Sequence, residues 1–181
     1  KMKVTMQGEE VINLLWDIIA ARGFEKDVYF EMAARDIRAL PKLEGTAQVN
    51  MVLVIKFMEG FLFEPEKFPT LPRMTGPGND GFLFNQGSTS KGQNKIQFHD
   101  YSIAYSASSL PNVKIFREQI DVLKELLKNA GPDRAQSRDL DFMLILGELF
   151  TLVPYGQLIL ELTTLEKTDS DLVDQIFDFM V

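Results

Sequence analysis

Residues 9–22, EEVINLLWDIIAAR, repeat their apolar side chains at a spacing that suits a helix and no strand. Val11, Leu15 and Ile18 fall on one stripe, and Ile12, Trp16 and Ile19 on the stripe beside it. So wide an apolar surface predicts a well-buried helix, with Gly23 as its C-terminal cap. The same period recurs along the chain. A second helix is expected from Asp27, as N-cap, to Arg38, and Pro41 bars its continuation. Thr46 is placed to cap a third helix running to about Phe61. Met51, Phe57, Met58, Phe61 and Phe63 read as core residues.

Beyond residue 63 the pattern breaks. EPEKFPTLPRMTGPGNDG and NQGSTSKGQNK are rich in Pro, Gly, Ser and Asn, which is turn and linker chemistry. A structureless stretch of that length is uncommon inside a compact domain, so it reads as a wrapping segment or a boundary. IQFHDYSIAYSASS fits a short helix or a strand equally well. Helical spacing returns with Ile115, Ile120, Leu123 and Leu127, and Gly131 stops it. Two helices are expected around 139–152 and 155–165, separated by Pro154. A last helix should open on a capping box made by Thr168 and Asp171. The expected fold is all-α. It divides into a helical bundle over 1–63, an irregular segment over 64–112 and a helical extension over 113–181.

Charge and composition narrow the function. A net charge of −7 argues against a nucleic-acid partner, which needs clustered Lys and Arg. The absence of cysteine removes disulfides, thiolate metal sites and a thiol nucleophile, and it suits a reducing cytoplasm. Uninterrupted apolar runs stay shorter than the about 18 residues of a membrane span. The nucleophile-elbow, zinc-protease and phosphate-loop motifs are missing. His99 is the single histidine, and a hydrogen-bonded or surface role is expected for it. No metal site is expected. Asp169, Asp171 and Asp174 read as acidic bias at a helix N-terminus.

One carboxylate stands apart. Glu44 lies between Pro41-Lys42-Leu43 and Gly45-Thr46, just before the apolar run MVLVIKFM. Spacing alone makes it a charge near a helix N-terminus. The wider stretch RGFEKDVYFEMAARDIRALPKLEGTAQVN resembles the end of the C-terminal helical domain of the acyl-CoA dehydrogenase family. Ten residues separate Gly23-Phe24 from Arg35-Asp36, and Glu44-Gly45-Thr46 follows without a gap at the family's spacing. The resemblance spans about Glu9 to Met58.

That resemblance implies a flavin-dependent oxidoreductase of fatty-acid metabolism, homo-oligomeric, acting on an acyl-CoA and passing electrons to a further acceptor. Glu44 would be the catalytic base that removes the α-proton, while hydride leaves the β-carbon for FAD. Gly45 would leave room for substrate, and Thr46 and Gln48 would touch the cofactor. The apolar residues Leu40 and Leu43 are expected to desolvate Glu44 and strengthen it as a base. Four residues depart from the family's pattern. Leu43 replaces a tyrosine, Asp17 a glutamine, and Ala20-Ala21 a glycine pair that would approach FAD. The chain is too short to enclose both FAD and acyl-CoA, so it is expected to be either the C-terminal part of a longer polypeptide or one subunit of a split enzyme; its start at Lys1 favours the first. The alternatives are a non-catalytic helical interaction module and a flavin monooxygenase of the same fold.

Overall fold

A computed structural model describes residues 1–66 and 96–181. The expected irregular segment therefore falls largely, over 67–95, outside the described residues. Among those described, the regular structure is helical: α1 (Met2–Ile19), α2 (Tyr29–Ala39), α3 (Ala47–Ile55), α4 (Met58–Phe63), α5 (Ser102–Ala107), α6 (Pro111–Asn129), α7 (Leu140–Leu165) and α8 (Ser170–Asp178). Short 3-10 turns cover Ala20–Phe24, Leu40–Lys42 and Gln136–Arg138. The chain is all-α, as its periodicity predicts. The ambiguous stretch near residue 102 is the short helix α5. His99 lies just ahead of it and forms an isolated parallel bridge with Glu66.

The chain divides into two units, 1–56 with 125–156, and 57–124 with 157–181. In the first, α1 packs on α2 and α3. Lys3 pairs with Glu148 at 3.1 Å, and the Tyr155 hydroxyl donates to Gln7 at 2.8 Å, which ties the start of α1 to α7. This explains why α1 begins at Met2, well before residue 9: Met2 is buried and anchored, although the early turns lack a strong apolar period. The expected burial of the α1 stripe is not found. Val11, Leu15 and Ile18 are exposed, as is Leu14, while Ile12, Trp16 and Ile19 are half-buried.

Gly23 does not cap α1. The helix ends at Ala20, which carries a φ of 54°, and Gly23 is buried inside the following 3-10 turn. Its role is close approach. A Cβ there would lie 2.5 Å from Nε1 and 2.8 Å from Cδ1 of Trp16. The indole cannot easily swing aside. Phe24 and Phe30 flank it at 4.9 and 5.5 Å, and the Arg38 guanidinium sits 5.1 Å over its ring. Gly23→Ala should therefore cost about 1–3 kcal/mol, the range for overpacking a filled site. Unfolding followed by the fluorescence of Trp16, the only tryptophan, will read the loss; an unchanged midpoint would exclude the close fit.

Asp27 is not the cap of α2 either. It adopts a φ of 65°, and Val28 takes the N-cap position without a side-chain bond. At α3 the expectation holds: the Val49 N–H donates to Thr46 Oγ1 at 3.4 Å. That helix stops at Ile55, and α4 resumes at Met58, so the expected single helix is two.

The second unit is built on aromatic rings. Phe61 stacks on Tyr101 at 5.3 Å, and Tyr105 meets Phe116 at 6.0 Å and Phe177 at 6.3 Å. On α6 the buried stripe is Val113, Phe116 and Ile120, while Ile115, one of the apolar positions of the period, is exposed. Burial pushes the Tyr105 phenol far above its ordinary range, and a hydrogen bond with the backbone of Gln157 opposes that push. The start of α6 is held by α8. Asp174 accepts from the Asn112 backbone N–H at 2.9 Å and from its side-chain amide at 3.1 Å. The cap of α8 is Asp169, which accepts from the Asp171 N–H at 2.9 Å, so the expected Thr168–Asp171 box does not form.

Pro154 does not split α7, which runs unbroken for 26 residues. A proline deletes one N–H donor, but apolar side chains on both sides, Phe150, Val153 and Leu160, are buried and hold the helix together. Continuity changes the membrane arithmetic. With an 18-residue stretch of mean hydropathy 1.6, this helix is long and apolar enough to cross a membrane by length and composition alone. Core helices of soluble proteins pass the same test.

Candidate functional site

The Glu44 turn is assembled from residue types with different backbone preferences. Pro41 is buried in the 3-10 turn that ends the α2 segment. Leu43 is extended, Glu44 has a φ of 53°, Gly45 a φ of 93°, and Thr46 returns to extended geometry as the N-cap of α3. Glycine takes a φ of 93° without penalty; glutamate in the left-handed region costs about 1–2 kcal/mol. The turn therefore sets an acidic side chain where a glycine would fit more easily.

Side chains fasten this turn. The Asn50 amide donates to the carbonyl of Gly45 at 3.0 Å and to that of Thr46 at 3.1 Å. Lys1 Nζ reaches the Gly45 carbonyl at 3.3 Å. Lys42 bonds the Arg38 carbonyl at 2.6 Å and pairs with Glu9 at 3.1 Å. Glu44 itself is exposed and makes no ion pair among the described residues. Leu40 and Leu43 are 41% and 54% exposed, so they do not supply the desolvation expected of them.

If Glu44 stays in the left-handed region against its preference, Glu44→Gly should stabilise the chain by about 0.5–1 kcal/mol, backbone strain relieved less the entropy glycine adds to the unfolded state. Urea unfolding will read the gain. A loss of stability would mean that the Glu44 side chain itself holds the turn.

Thr46, Gln48 and Gly45 are exposed around the start of α3, beside Glu44. Sequence adjacency and the turn bring all four together. Asp17, Ala20 and Ala21 are exposed at the end of α1. The residues present fit FAD poorly by themselves. Thr46 already accepts the Val49 N–H, and Gln48 offers one exposed amide. An open cleft of about 330 Å³ is lined by Asp27, Val28, Tyr29, Glu31, Met32 and Arg35 and excludes Glu44. Its Arg35 is neutralised by Glu31 at 3.1 Å. Asn50 is the residue that sequence reasoning passed over. Its signal was its place four residues after an N-cap, from which an amide can reach back to the turn carbonyls.

The chain matches no protein-family model, no curated protein and no solved structure.

Proposed function

We propose that this chain is the C-terminal helical part of an acyl-CoA dehydrogenase-like flavoprotein in which Glu44 is the base. The observation that carries this reading is the strained, fastened turn. A non-glycine residue in a left-handed conformation costs free energy, and such outliers are enriched at functional sites; Ala20 and Asp27 share the conformation, and Glu44 is the one of the three that stands in the Glu44-Gly45-Thr46 motif. Here the outlier is an exposed carboxylate on rigid support. The all-α architecture with Thr46 capping α3 is compatible with a bundle of that family's C-terminal type.

The step assigned to Glu44 is proton removal. A carboxylate oxygen takes the α-hydrogen of an acyl thioester; the C–H bond breaks, an O–H bond forms on Glu44, and the electron pair moves into the thioester carbonyl as an enolate. Two demands follow. The carboxylate must be aimed at the α-carbon, and the carbonyl must be polarised. The fastened turn supports the first by fixing the backbone that carries the carboxylate. Proton removal is the part of the reaction that this chain's own residues supply. FAD, an acyl-CoA substrate, an electron acceptor and self-association belong to the proposal as features of the intact protein, in the cytoplasm.

The test is exchange of the α-proton. The intact protein, supplied with FAD and an acyl-CoA in deuterated water, should incorporate deuterium at the α-carbon. Absence of both flavin binding and exchange would defeat the reading. It would favour a second one, a non-catalytic interaction module, for which the exposed apolar stripe of Val11, Leu14, Leu15 and Ile18 speaks.

A further inference from the structure

We infer that Asn50 is the positioning residue of this site: its side-chain amide locks the Glu44–Gly45 turn and so aims the Glu44 carboxylate. The consequence for chemistry rests on the reading of Glu44 as a base; the locking of the turn does not. The turn carries two successive positive φ values, at Glu44 and Gly45, just before α3. The Asn50 amide donates at once to the Gly45 carbonyl, at 3.0 Å, and to the Thr46 carbonyl that opens the helix ladder, at 3.1 Å. It is anchored there by its own backbone N–H, which donates to the Thr46 carbonyl at 3.0 Å. One residue thus ties the turn to the helix through both backbone and side chain. The other bond to the Gly45 carbonyl comes from Lys1, whose long side chain carries more rotamer freedom than an asparagine amide. A Cβ added on Gly45 would stand in ordinary contact, 3.5 Å, with Asn50 Nδ2. Without this clamp Glu44 can relax to the right-handed region, which swings its carboxylate away from its present direction.

Two variants test the idea. Asn50→Asp keeps the shape and replaces the donor with an acceptor that the two carbonyls repel. Asn50→Ala removes the group and is an excellent helix former, so it keeps α3 if the aspartate variant does not fold. The first readout is the Glu44 Cα and Cβ chemical shifts in the full chain, which report its backbone conformation. Both variants should lose the left-handed signature while the shifts of α8 stay fixed. The second readout is α-proton exchange by the intact protein at saturating acyl-CoA. Its kcat should fall about 10- to 100-fold with KM changed less than twofold, because a misaimed base loses rate more than binding. Asn50→Gln, which retains the donor, should restore part of both. Unchanged Glu44 shifts would overturn the clamp. Moved shifts with unchanged kcat would overturn its role in aiming the base. A native protein that exchanges no α-proton would overturn the base itself, with the shifts still deciding the clamp.

Discussion

Glu44→Gln should lower the rate of α-proton exchange by about 10²–10⁴-fold, the usual share of a general base, and leave the fold unchanged. Glutamine keeps the length and shape of the side chain, so the left-handed turn and its bonds from Asn50 should persist. What it lacks is a basic oxygen able to take a proton. Because Glu44 is exposed and unpaired among the described residues, the substitution leaves no buried partner behind, and thermal stability should move by only a few tenths of a kcal/mol. That separation is useful. Rate and stability falling together would point to a structural role for the carboxylate. Undiminished exchange would remove Glu44 from the chemistry altogether. Glu44→Asp is a sharper comparison, since it keeps the base but withdraws it by one methylene; an intermediate rate is expected if aim is what the turn provides.

The parts of this fold that could be read from sequence are those decided within a few residues. Thr46 before a run of apolar residues names its own helix start, because the hydroxyl needs only an N–H three residues on. The all-α class follows from a period repeated along the chain. Errors came where distant residues decide. Gly23 looks like a cap because it follows a helix; its actual neighbour is Trp16, and only the packing of the indole reveals it. Pro154 looks like a break because its local cost is plain, whereas the burial that offsets it is spread over Phe150, Val153 and Leu160. The Val11, Leu15 and Ile18 stripe reads as core from its period, yet no described residue covers it, since a period tells which face is apolar and not what lies against it. Glu44 was legible as a candidate through its neighbours in sequence. The strain in its backbone and the amide that sustains it were not, because Asn50 is an unremarkable helix residue until the turn is folded back beside it.

The other large effect expected is at Phe177. Its side chain is fully buried, with ring contacts to Phe116 at 5.6 Å and to Tyr105 at 6.3 Å, both in the same unit. Phe177→Ala removes most of a ring from the middle of this cluster, and a cost of about 3–5 kcal/mol is expected for a phenylalanine truncated in a packed core. Part of that cost is the transfer of apolar surface and part is the void, since Val113 and Val173, also buried in this unit, are short and branched and cannot fill the space of a ring. The loss also loosens α8, which carries Asp174, the residue that holds the start of α6 through Asn112. Tyr101 and Tyr105 lie within the cluster, while Tyr29, Tyr155 and Trp16 belong to the other unit, so with Tyr29 and Tyr155 replaced by phenylalanine the tyrosine signal reports on this unit. The tyrosine near-ultraviolet dichroism should therefore melt earlier in Phe177→Ala, and Phe177→Leu should recover more than half of the loss by refilling the void. A cost below about 1 kcal/mol, the range of a surface substitution, would mean that the aromatic cluster is not the core of this unit.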